Sequence, residues 1–121
     1  TGYPSICKMK STAIVISLFI VIAGFASCAG SIPIPTEADA EWASQAWAGT
    51  TVHNLMTGRK MYVEKCSGCH GLSAPTEYSG LQWDRIMEKM KIRATVSEEE
   101  KNLILRYLVT IREVQRAERD R

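Results

Sequence analysis

Residues 66–70 read Cys66-Ser67-Gly68-Cys69-His70. Two thiols three positions apart, with an imidazole directly after them, make the CxxCH pattern of covalent haem attachment. The spacing has a physical reason: each thiol can form a thioether to one porphyrin vinyl group, while the adjacent imidazole is delivered to the iron. Three other chemistries use parts of the pattern. A thioredoxin-type dithiol expects strand-helix-strand surroundings, and no alternating β-branched run flanks Cys66. A zinc site needs a fourth ligand, and the other histidine, His53, stands alone. A Cys66–Cys69 disulfide would close a very small, strained loop. Haem c, one covalent group per chain, is the cofactor the motif favours.

The chain has 121 residues, enough for one small domain. So short a chain buries little surface and commonly needs a staple, which a covalent cofactor would provide. Lys8 and Lys10 lie before Cys28; without them the 15 basic residues fall to 13, equal to the 13 acidic ones. A neutral remainder argues against nucleic acid as a partner. Lys8-Met9-Lys10 followed by Ala13 to Ala26 reads as the basic and apolar regions of a secretory signal, with Met9 as its start. Residues 1–27 are therefore assigned to upstream residues and a signal peptide or membrane anchor. The apolar run ends at Phe25-Ala26-Ser27-Cys28, which resembles a bacterial lipoprotein cleavage box and so implies a lipid anchor at Cys28. Cleavage after Ala29, or an uncleaved helix spanning the bilayer, are the alternatives. Each places the rest of the chain outside the cytoplasm, on the periplasmic side of a bacterial membrane.

Residues 28–49 read as a tether carrying a short helix. Pro33 and Pro35 make its first part semi-extended. Thr36 then serves as N-cap of a helix to Ala48, with Glu37, Asp39 and Glu41 near its positive end and Gly49 as its stop. Trp42 and Trp47 lie five apart and share no tight face; they either pack on the domain or dock to a membrane surface or partner. The domain itself is assigned to residues 50–121. Leu55, Gly58, Arg59, Tyr62 and Cys66 recur at three-to-four spacing and place one helical face before the motif. The carboxy-terminal helix is the clearest element: Ser97 and Glu100 form a capping box, and Leu103, Ile104, Tyr107, Leu108 and Ile111 make one apolar stripe.

From Gly58 to Ile111 the chain resembles small monohaem c-type cytochromes of class I. Gly58-Arg59-Lys60-Met61-Tyr62 is similar to that family's first helix, in which a glycine lets the last helix cross closely; the other half of the crossing would be Tyr107-Leu108. The resemblance implies an all-α fold of about three to four helices wrapped around one covalent haem.

His70 supplies one axial ligand, and the other decides the chemistry. A helix from Ser79 to Met90, opened by a Ser79/Gln82 capping box, places Trp83, Ile86, Met87 and Met90 on one face toward the haem. The family completes its ligand set with a Met after the motif, often with a Trp seven residues earlier, as Trp83 stands to Met90. Met90 is chosen over Met87 because it ends its helix where the chain can turn inward; Met56, Met61 and His53 are weaker candidates. The resemblance also implies that a proline carbonyl, here that of Pro75 or a neighbour, accepts the second nitrogen of His70. Tyr78 or Trp83 would hydrogen-bond a haem propionate, or simply pack.

A His/Met haem with both axial positions filled leaves no substrate site, so one-electron transfer is the expected function. The expected partners are a membrane oxidoreductase complex or other redox proteins, with the chain as shuttle or haem subunit. The main rival is a haem sensor or gas-binding protein with a weak or absent sixth ligand. A peroxidase would need an open distal site and a base, for which His53 is the candidate. A purely structural subunit would rely on its tryptophan helix.

Overall fold

The computed structural model describes residues 32–121, and these contain four α-helices, one 3₁₀ turn and no strand. The helices are α1 (Glu37–Ala46), α2 (Val52–Cys66), α3 (Gly80–Arg93) and α4 (Glu98–Arg119), with the 3₁₀ turn at Pro75–Glu77. The domain is all-α, as the periodicity predicts. Among the described residues no helix is long and apolar enough to cross a membrane. The apolar run at 13–26 and Cys28 lie outside the described residues.

All four helices open with a capping box, in which the N-cap hydroxyl accepts the N3 backbone N–H and the N3 side chain accepts the N-cap N–H. Thr36/Asp39, Ser79/Gln82 and Ser97/Glu100 fall where the sequence places helix starts. The fourth, Thr51/Asn54, begins α2.

Packing is organised by α4, which touches every other element. Ile104, Tyr107, Leu108 and Ile111 of its stripe are buried, and they meet Tyr62 of α2 and Trp83 and Met87 of α3 in the main core. Leu103 is only half-buried, because its backbone serves the crossing instead. A Cβ on Gly58 would stand 2.1 Å from the Leu103 carbonyl oxygen and 3.1 Å from Tyr107 Cβ. Only a residue without a side chain lets α2 and α4 approach this closely.

Three features differ from the sequence reading. The described segment from Ile32 onward falls in the same compact unit as residues 50–121. Helix α1 belongs to it: Ala40 and Ala43 pack with Leu55 in a second cluster, against which Trp42 and Trp47 lie half-buried. Nor is the chain from Ile32 onward a free tether. Arg59 donates from Nε to the Pro33 carbonyl at 3.0 Å and from Nη2 to the Ile32 carbonyl at 3.0 Å, and Tyr107 Oη donates to the Pro33 carbonyl at 2.7 Å. A half-buried guanidinium and a buried phenol both seek acceptors, and the backbone of this segment provides them. Finally, α3 does not stop at Met90 but runs one turn further, to Arg93. It ends in a Schellman-type turn in which Thr95 takes φ +52° and the Val96 N–H donates to the Lys91 carbonyl at 2.9 Å.

Two outcomes follow for stability. Gly58→Ala is expected to cost about 3 kcal/mol or more in urea unfolding, since the added methyl meets backbone rather than a movable side chain. Thr95→Gly is expected to raise stability by about 0.5–1 kcal/mol in the same measurement, relief of the left-handed strain exceeding the added chain entropy.

Candidate functional site

Helix α2 delivers Cys66 at its last turn, and the chain then leaves the helix, so that Cys69 and His70 follow in an exposed turn. Helix α3 lies across from them. Between the two is a cleft of about 310 Å³. Cys66, Cys69 and His70 line one side, and Trp83, Ile86, Met87 and Met90 line the other. The four residues assigned to one face of α3 thus all reach the same cleft as the CxxCH motif.

Of the residues expected at the site, Cys66, Cys69, His70, Tyr78, Trp83 and Met90 line the cleft, while Pro75 and His53 do not. Cys66 and Cys69 form no disulfide. Cys66 is half-buried, and burial pushes its thiol up; Cys69 is exposed. His70 Nδ1 stands 2.8 Å from the Gly71 carbonyl oxygen. A carbonyl can only accept, so this bond requires the proton on Nδ1 and leaves the Nε2 lone pair free for a metal.

In this structure the Nδ1 partner of His70 is the Gly71 carbonyl. Pro75 is fully buried, and its carbonyl accepts Trp83 Nε1–H at 2.9 Å. The one N–H of Trp83 is thus engaged inside the fold. Tyr78 packs edge-on against Trp83 with ring centroids 5.0 Å apart. The two methionines differ. Met87 is 2% exposed and belongs to the main core, whereas Met90 is half-buried at the cleft wall.

The cleft also holds residues that the sequence reading did not assign to the site. Tyr62 Oη donates to the Ser73 carbonyl at 2.7 Å, and its ring meets Trp83 edge-on at 6.0 Å. The signal was available, since Tyr62 lies one helical turn before Cys66. Lys65 and Arg93 bring two cations to the cleft, Lys65 paired with Glu100 at 2.8 Å. Arg93 follows Met90 by three residues, but the expected helix end at Met90 concealed it.

The donor set suits a haem. Among the described residues no three His, Cys, Asp or Glu side chains converge as a metal site. A porphyrin brings its own equatorial nitrogens, so an imidazole, a thioether and two thiols suffice. No family model, no curated protein and no solved structure matches this chain.

Burial, with the neighbouring Cys66 as a lesser cause, raises the Tyr62 phenol to about 12. The unfolded tyrosine ionises near 10, so the folded state holds the proton longer and unfolding becomes easier as pH rises from about 10 to 12. Urea unfolding across that range is expected to lose about 2–3 kcal/mol through this residue, and Tyr62→Phe should flatten that part of the slope.

Proposed function

We propose that the chain is a c-type cytochrome domain that transfers single electrons. Cys66 and Cys69 would hold one haem through thioethers, and His70 and Met90 would be its axial ligands. The observation that carries this reading is the convergence of the CxxCH motif and two methionines on one cleft whose lining is mainly apolar.

When bound, the haem supplies a reversible ferric/ferrous couple, and a neutral sulfur donor favours its ferrous form. The chain's own residues then do four things. Cys66 and Cys69 would hold the group covalently, which would prevent its loss from a cleft too open to retain it by burial. The Gly71 carbonyl orients the His70 ring and fixes its tautomer. Trp83, Ile86 and Met87 exclude water from one face. Arg93 and Lys65 offer positive charge to the propionates.

Met90 is favoured over Met87 for a reason the sequence did not supply. Met87 is committed to the core with Trp83 and Ile104, and withdrawing it would open a cavity. Met90 carries no such commitment. The setting that fits is the periplasmic side of a bacterial membrane, where the domain would act with a membrane oxidoreductase or another redox protein as shuttle or subunit. Anchoring would be through lipid at Cys28 or through the preceding apolar run.

Protein isolated from its native host should keep its colour through acid-acetone extraction, and Cys66→Ala/Cys69→Ala should lose it. Met90→Ala should abolish the weak sulfur-to-iron absorption band at the red end of the ferric spectrum, and Met87→Ala should retain it with lowered stability. Unmodified thiols in the native protein would sink the proposal.

A further inference from the structure

Met90 lies in the last turns of α3, and helix ends fray. A thioether is a weak, neutral donor, easily displaced if its helix end moves. The end of α3 is not left to itself. Lys101, on the second turn of α4, pairs with both Glu88 and Glu98. Lys91 pairs with the same two carboxylates, at 3.0 Å to Glu88 and 3.0 Å to Glu98. Two ammonium groups and two carboxylates therefore alternate in a closed ring across two helices, around the Ala94–Ser97 turn. Glu88 and Lys91 flank Met90 in sequence.

The ring is not an ordinary surface pair. The Lys101 side chain is only 7% exposed, so its charge has exchanged water for these two carboxylates. Backbone bonds complete the clamp: the Ala94 N–H donates to the Met90 carbonyl at 2.8 Å, and the Val96 N–H, whose side chain enters the core, donates to that of Lys91 at 2.9 Å.

We propose that Lys101 is a positioning residue for the sixth ligand: through Glu88, Glu98 and Lys91 it clamps the Met90 end of α3 onto α4 and holds the thioether at the cleft wall. This role rests on the His70/Met90 reading. It differs from a stabilising role because it acts on one iron ligand and leaves the motif side of the cleft untouched.

Added imidazole, which competes with a weak sixth ligand for ferric haem, reads that ligand directly. In the full chain carrying covalent haem, Lys101→Met is expected to raise imidazole affinity about tenfold and to weaken the sulfur-to-iron band, while Lys101→Arg stays near the parent. Glu98→Gln, at an exposed member of the ring, should shift affinity in the same direction should Lys101→Met fail to fold. Leu55→Ala, which destabilises through the second cluster, to which no member of the ring belongs, should leave imidazole affinity unchanged. If Lys101→Met or Glu98→Gln lowers stability with imidazole affinity unaltered, or if Leu55→Ala raises affinity equally, the positioning role is overturned and the ligand reading survives. If Met90→Ala leaves the parent spectrum unchanged, the ligand assignment itself fails and the positioning role with it.

Discussion

The close approach of α2 and α4 at Gly58 is the constraint on which the rest of the domain depends. With the Leu103 carbonyl where a Cβ would stand, the two helices meet backbone to backbone, and their relative position is set by contact rather than by adaptable side chains. Tyr107, one turn beyond Leu103, is driven into the core at the same point, and Arg59, next to Gly58, is turned toward the segment at Ile32 and Pro33. From this fixed crossing α2 runs two further turns to Cys66. The first thiol of the motif is thus placed from a backbone-to-backbone helix contact, although the motif beyond it is exposed.

The opposite wall of the cleft is placed by polar bonds made from inside the core. The chain between His70 and α3 has no regular structure apart from one 3₁₀ turn, yet two aromatic side chains hold it. Tyr62 takes the Ser73 carbonyl, and Trp83 takes that of Pro75. Each bond satisfies a group whose burial would otherwise cost about 1–3 kcal/mol. The two rings are also packed edge to face, so one pair of aromatics joins α2, α3 and the connecting loop. This explains why α3 faces the motif at all: its position is referred to α2 through Tyr62 and Trp83 as well as to α4 through the apolar stripe.

What could be read from the sequence follows from this division. Period and caps are local, so α4, the Ser79 start of α3 and the Thr36 start of α1 were legible in Leu103 to Ile111 and in three hydroxyl caps. The Thr51 start was not, because its partner is Asn54 and its first turn has no acidic residue such as Glu37 and Asp39 supply after Thr36. The end of α3 was misplaced because the sequence has no glycine there; Thr95 takes the left-handed turn, and a β-branched residue gives no signal of it. At the site, the motif and the α3 face needed only spacing. The partners of Pro75, Trp83 and His70 depended on which carbonyl lies nearest in three dimensions, and no local pattern encodes that choice.

The lead segment shows the same limit with a larger consequence. Pro33 and Pro35 read as a spacer because proline stiffens a free chain. Yet a proline also presents a carbonyl with no competing N–H of its own, and Pro33 uses its carbonyl to accept from both Arg59 and Tyr107. Both donors sit at the helix crossing. Pro35 is itself buried. The residues that read as a free spacer are instead part of what closes the core, since the Pro33 carbonyl accepts from both helices of the crossing and Pro35 is buried.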